Sequence, residues 1–286
     1  MALSLVKSVN GPGLPKTPTT APSTGTSFGK HSATEPVSAI CEHCHAEMRY
    51  RWVPILDSGW WVPPAPCSCP GAQTDRAKRR EEEQREELDQ RARERERLLT
   101  QSGLPVRYHG ATFAAAVVTD TTRTAFARVR EFADRPAGGL LISGPVGTGK
   151  TYLAAAAVNH WLDQLRRVTF GGVVQLLGRI RNSYGDSSRE TEWEIIDQLT
   201  SVPVLVLDDL GKEKVTEWVE QTLYQVVDTR YREERPLVIT TNFSFPDLQD
   251  RYPDVGPALV SRLVEMCQEI RLDGPDWRYR RFDSFA

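Results

Sequence analysis

Eight consecutive residues carry the clearest chemistry in the chain: Gly144, Pro145, Val146, Gly147, Thr148, Gly149, Lys150 and Thr151. They fit the spacing G-x-x-x-x-G-K-[ST] between an apolar run, Leu140-Leu141-Ile142-Ser143, and a helix-forming stretch from Thr151 to Leu165. Glycines let the backbone turn so that its N–H groups point inward at phosphate oxygens. The helix starting near Lys150 adds its positive end. Lys150 is then placed to reach the terminal phosphates and the Thr151 hydroxyl to bind Mg²⁺, which makes ATP the expected ligand.

Two later segments could complete a hydrolysis site. Val204-Leu205-Val206-Leu207 is an apolar strand ending in Asp208-Asp209. It is expected to lie beside the strand before the phosphate loop, with Asp208 binding the ion, directly or through water, and Asp209 orienting the attacking water. Leu237-Val238-Ile239-Thr240-Thr241-Asn242 repeats the layout. There Asn242 can hydrogen-bond the water or the γ-phosphate, or simply open the next turn.

A third group of residues points to a metal. Cys41 and Cys44 form one pair and Cys67 and Cys69 another. Paired thiolates on tight turns bind Zn²⁺ tetrahedrally, and four protein ligands leave no open position for catalysis. His43 or His45 could replace one cysteine. Cys267, alone in an apolar stretch, reads as a small buried hydrophobe.

The elements that must position these groups follow from composition. Residues 1–36 are rich in Pro, Gly, Ser and Thr and are expected to be disordered. Residues 37–72 hold the cysteines with Trp52, Trp60 and Trp61, which suits a small metal-stapled module whose tryptophans fill a tiny core or anchor a partner. Residues 73–102, dominated by Arg, Glu, Gln and Asp, predict a solvated helical linker with no heptad seam. From 103 to 286 strands and helices alternate: strands at Arg167–Phe170, Val202–Leu207, Leu237–Thr241 and Gln268–Leu272, helices at Val173–Ser183, Val215–Arg232 and near Pro257–Cys267. Apolar strands separated by helices imply a parallel sheet covered on both faces. A net charge of −2 gives the 286-residue chain no long-range pull on nucleic acid, no apolar run is long enough to span a membrane, and a cytoplasmic location is the default.

The segment around the two acidic residues resembles the AAA+ ATPases of the DnaC/DnaI helicase-loader and IstB-like group. The matching residues are Leu207-Asp208-Asp209-Leu210-Gly211-Lys212-Glu213, then Thr216, Trp218, Leu223-Tyr224, Asp228, Arg230-Tyr231, Arg235-Pro236 and Thr240-Thr241-Asn242. Arg107-Tyr108 and Ala111-Thr112-Phe113 resemble the start of the same domain, and the likeness covers about 103–281. It implies an α/β fold of the P-loop AAA+ type, with a five-stranded parallel sheet and little or no C-terminal lid. It also implies two arginines. Arg262, in Ser261-Arg262-Leu263, matches the finger offered to a neighbouring subunit. Arg278, in Gly274-Pro275-Asp276-Trp277-Arg278, matches the second sensor, with Arg280 and Arg281 as rivals.

The same resemblance implies an ATPase that is weak alone and assembles into an ATP-dependent oligomer. Such a protein loads a hexameric replicative DNA helicase onto single-stranded DNA, contacting the helicase through a zinc-bearing N-terminal module. Arg179, Arg181 and Tyr184 are the basic and aromatic candidates for DNA contact. An IstB-like transposition helper is the nearest alternative. A P-loop small-molecule kinase would need an acceptor pocket and a lid, neither of which is legible.

Overall fold

In a computed structural model, residues 38–55, 58–185 and 190–279 are described. The expected disordered tail and the rival arginines Arg280 and Arg281 lie outside them. Two compact units divide after Glu82.

The first unit holds two short antiparallel pairs. Strand β1 (Ala39–Ile40) pairs with β2 (Glu47–Met48), and β3 (Arg51–Ile55) pairs with β4 (Ser58–Val62) with Trp52 opposite Trp61. The two indoles meet edge to face at 5.2 Å between centroids, while Trp60 points outward and is 54% exposed. Helix α1 (Pro70–Ser102) follows, with nearly all of its side chains solvated until Leu98 and Leu99 join the core of the second unit.

In the second unit, α2 (Arg123–Asp134), β5 (Gly139–Ser143), α3 (Lys150–Asp163), β6 (Val168–Gly172), α4 (Val173–Asn182), α5 (Glu192–Ser201), β7 (Val204–Leu210), α6 (Glu217–Arg232), β8 (Leu237–Thr241), α7 (Phe245–Arg251), α8 (Gly256–Met266) and β9 (Cys267–Arg271) succeed one another. The strands form one parallel sheet in the order β6-β7-β8-β5-β9. Strands β5 and β8 are buried at every position, as befits the interior of a sheet covered on both faces. Edge strand β9 buries only Cys267 and Ile270. Leu140, Ile142, Val206 and Val238 face the layer of α2 and α3, whereas Leu141, Leu205, Leu207 and Ile239 face α4 to α8. The Ala154–Ala157 run lets α3 lie close against the sheet directly behind the phosphate loop.

The strand order corrects one expectation. Strand β7 does not lie beside β5, because β8 runs between them. The acidic strand end therefore reaches the phosphate loop across the end of β8, which makes the polar tip of β8 part of the site. Helix α6 begins at Glu217 instead of Val215, because the Thr216 hydroxyl caps it by accepting from the Val219 N–H.

A buried cation ties this architecture together. Arg230 is fully buried, with Nη1 donating to the carbonyls of Leu199, Thr200 and Val202 and Nη2 to those of Pro203 and Pro236. It fastens the end of α6 to the segments leading into β7 and β8. Burial pushes its pKa down to about 10, still far enough above neutrality to keep the guanidinium charged.

Candidate functional site

The phosphate loop sits between β5 and α3, and two of its glycines are fixed by contacts from the C-terminal segment. A Cβ on Gly144, whose φ is +141°, would lie 2.2 Å from the Leu272 carbonyl oxygen. A Cβ on Gly147, at φ +82°, would lie 1.9 Å from Cγ of Asp276. The Trp277 N–H donates to the Gly147 carbonyl at 3.0 Å, so the Gly274–Arg278 motif closes directly on the loop. Lys150 is buried, its Nζ donating to the carbonyls of Gly144 (2.8 Å) and Pro145 (2.7 Å). Burial lowers its pKa, with the nearby Asp209 carboxylate acting in the opposite direction.

Thr151 and Asp208 meet. The threonine hydroxyl donates to Asp208 Oδ1 at 2.9 Å, and Asp208 is only 8% exposed. Burial raises the Asp208 pKa despite a 2.6 Å hydrogen bond from the Thr240 hydroxyl, so the carboxylate sits where a cation would relieve its desolvation. Thr240 Oγ1 also accepts from the Asp209 N–H at 2.9 Å. Strand β7 is irregular here: its register to β8 shifts between Leu207 and Leu210, and Asp209 adopts a left-handed φ of +62°. The kink separates the two carboxylates, sending Asp208 to Thr151 and Asp209 to Lys212 Nζ at 2.7 Å.

A cavity of about 660 Å³ opens over these groups. Its lining includes Val146, Gly147, Thr148, Gly149, Lys150, Thr151, Asp209, Asn242 and Arg278. Arg278 is 65% exposed with only a long 3.9 Å approach to Asp276, leaving its guanidinium available at the rim. The opposite wall was not anticipated as part of a site: Tyr108, Ala115, Ala116, Val117 and Phe126, an apolar flank suited to a flat base. Its only sequence signal is the unpatterned apolar stretch after Phe113. Lys212 and Trp277 also line the cavity and Thr240 bridges Asp208 and Asp209, roles that the motif matches at these positions had not assigned.

Arg262 does not line this cavity. It lies on α8 against α6, with Nε 2.5 Å from Asp228 Oδ1, Nη1 on the Ala258 carbonyl, and its guanidinium over the rings of Tyr224 (4.8 Å) and Tyr231 (5.7 Å). The DNA-contact candidates are also engaged within the chain. Arg179 pairs with Glu190 and reaches Gln198, Arg181 stacks over Trp218 at 5.2 Å, and Tyr184 accepts from the Trp218 indole N–H.

In the first unit the four cysteine sulfurs all lie within 4.8 Å of one another, with Cys41 to Cys69 at 3.7 Å and Cys44 to Cys67 at 3.4 Å. Zn–S bonds of about 2.3 Å in a tetrahedron need sulfurs about 3.8 Å apart, so this donor set fits. Backbone N–H groups of Cys44 and His43 hold the Cys41 thiol down to about 6. The Ala46 N–H pulls on Cys44 in the same direction, but the Cys67 and Cys41 sulfurs push that thiol up to about 12, a crowding that a cation would resolve. His43 turns away to Asp75, 2.7 Å from its carboxylate.

Residues 81–284 match the family described as IstB-like ATP binding protein. The replicative helicase loader DnaI of Bacillus subtilis is 29% identical over 59% of this chain and 59% of its own length. The replicative helicase loader DnaC of Escherichia coli is 25% identical over 70% of this chain and 78% of its own. An insertion-sequence protein of Mycobacterium tuberculosis, named for ATP binding, is 29% identical over 50% of this chain and 56% of its own. The chain thus spans less than two thirds of the DnaI loader and of the insertion-sequence protein. Among solved structures, the DnaC helicase loader superposes with a TM-score of 0.52 at 24% identity over 59% of this chain and all of that one. AMPPCP-bound DnaA from Aquifex aeolicus gives 0.51 at 24% over 64% of this chain and 56% of that one. The fold is that of AAA+ proteins.

Proposed function

Because this chain belongs to the IstB-like ATP-binding protein family, we propose that it hydrolyses ATP and uses the cycle to load a hexameric replicative helicase onto single-stranded DNA. The observation carrying the ATPase half is the convergence of Lys150, Thr151, Asp209, Asn242 and Arg278 on one cavity, with Asp208 bonded to Thr151 at its floor. Loop N–H groups and Lys150 hold the phosphates, and the apolar wall from Tyr108 to Phe126 receives the base. Thr151 and Asp208 would hold Mg²⁺, which when bound neutralises charge on the terminal phosphates. Asp209 orients the attacking water and Asn242 steadies it against the γ-phosphate. Arg278 from the same chain and Arg262 from a neighbouring copy meet the charge that develops in the transition state. Presented in trans, Arg262 exchanges Asp228 for phosphate, so hydrolysis depends on assembly.

The loading half rests on the likeness to DnaI and DnaC and on the cysteine cluster, where Cys41, Cys44, Cys67 and Cys69 would hold Zn²⁺ as a structural staple. The exposed Trp60 of the same unit is the anchor for the helicase. DNA contact by Arg179, Arg181 and Tyr184 requires them to leave their present partners. The insertion-sequence relative supports a second reading, a transposition helper with the same ATPase core. Co-purification from host extract with ATP and an Asp209→Asn chain separates them. Recovery of a hexameric helicase, lost when residues 37–72 are removed, is expected; recovery of a transposase, or helicase capture that survives the deletion, overturns the loader reading.

A further inference from the structure

Lys212 is a cation on the cavity wall that the phosphate-loop motif does not account for and that already holds a site carboxylate. Its position is imposed from both sides. Before it, Gly211 turns at φ +93°, and a Cβ there would lie 2.6 Å from the Phe243 ring. After it, Glu213 is only 4% exposed and anchored three ways: it accepts from the Gly211 N–H and from the Tyr252 hydroxyl, and its carbonyl accepts from Arg251. The Lys212 N–H returns to the Asp209 carbonyl at 3.3 Å. A tight loop with both flanks fixed thus delivers the Lys212 ammonium to the mouth of the cavity, 2.7 Å from Asp209 Oδ2.

In that pairing Asp209 is the wrong acceptor for a water molecule. One oxygen is occupied and its charge is neutralised by the ammonium. The pair is half-exposed, with side-chain exposures of 42% and 34%, and ion pairs as open as this are weak. A triphosphate entering the same cavity brings several negative charges and more acceptor oxygens than one carboxylate, so it competes well for the lysine.

We propose that Lys212 is a second phosphate-contacting cation of the ATP site that masks Asp209 until a terminal phosphate draws it away. The inference rests on the ATPase reading above and deepens it. Without a γ-phosphate, Lys212 neutralises Asp209. With one, the ammonium moves to the phosphate and the freed carboxylate takes up the water. The site then responds to the presence of the terminal phosphate using residues of a single chain.

The test uses the full chain and fluorescent ATP and ADP analogues with Mg²⁺. Lys212→Ala is expected to weaken ATP roughly tenfold while changing ADP less than about threefold, and Lys212→Arg to restore most of the preference. Equal losses for both nucleotides, or no loss, would overturn the contact. Masking has its own readout. Asp209→Asn removes the competitor and should tighten ATP severalfold, with the gain vanishing when Lys212 is Ala. A gain of the same size in the Lys212→Ala background would reflect direct charge relief and overturn the masking. Lys150→Ala retaining full nucleotide affinity would count against the ATP site itself, so that failure is distinguishable from failure of the Lys212 assignment.

Discussion

Replacing Thr240 by Val removes one oxygen from a fully buried position and tests whether the tip of β8 holds the two acidic residues in place. The hydroxyl donates to Asp208 Oδ1 at 2.6 Å and accepts from the Asp209 N–H at 2.9 Å. Losing a hydrogen bond to a charged carboxylate costs about 1.5–3 kcal/mol, and leaving a buried N–H unpaired about 1–3 kcal/mol. Asp209 is partly open to water, so the second cost falls at its low end and the sum is about 3 kcal/mol. For a domain of this size that lowers Tm by roughly 6–12 °C.

The deficit should depend on pH. Burial holds the Asp208 pKa above its unfolded value, and the Thr240 bond opposes that rise. A raised carboxylate pKa is a stability penalty, absent below the unfolded pKa and complete above the folded one. Removing the bond raises the folded pKa further and deepens the penalty on the alkaline side. The Thr240→Val deficit measured by nucleotide-free melting should therefore be larger near about pH 8 than near about pH 5. Thr240→Ser, which keeps the hydroxyl, should lose only about 1 kcal/mol. A Val variant within about 1 kcal/mol of the parent, or a deficit flat across pH, would refute the bridging role.

Other consequences can be measured directly. Lys150→Ala should abolish nucleotide binding or leave it very weak in equilibrium titrations. Arg262→Ala should spare nucleotide binding and lower only the hydrolysis that rises with protein concentration; an equal loss in dilute monomer would argue against action in trans. Metal analysis of the purified chain should find one zinc held by the four cysteines, lost together with helicase capture when Cys44 and Cys67 are replaced by Ser. Arg230→Met should lower stability by about 3–5 kcal/mol in urea titrations, since five carbonyls lose their donor at once.

Sequence reasoning reached the groups whose chemistry is local. The phosphate loop, the Asp208-Asp209 strand end and Asn242 each announce themselves within a few residues, and the structure brings Lys150, Thr151, Asp209 and Asn242 to one cavity with Asp208 beneath. Strand order was out of reach, because β5, β7 and β8 are alike, each apolar at its start and polar toward its end, and carry nothing that says which pairs with which. Without that order, Thr240 reads as one more strand residue. Helix α2 was missed because its buried stripe is Ala125, Val129 and Ala133, too small to register as an apolar face. Helix α5 was readable in hindsight: Thr191 and Glu194 form a capping box ahead of Ile195, Ile196 and Leu199. In the first unit, Pro54 lies within β3, where it is tolerated because both strands of a two-stranded sheet are edges.

The sheet order also governs when the site can exist. Strand β5, which leads into the phosphate loop, takes its two partners from residues 237–241 and 267–271. A ribosome making this chain exposes the loop long before either partner has been built. At about 5–20 residues per second the wait is on the order of 10 s. Through that interval the loop lacks Thr240 beside Asp208 and the Leu272 and Trp277 contacts that shape Gly144 and Gly147. The contacts that shape the loop at Gly144 and Gly147 therefore form only once residues 272–277 have been made.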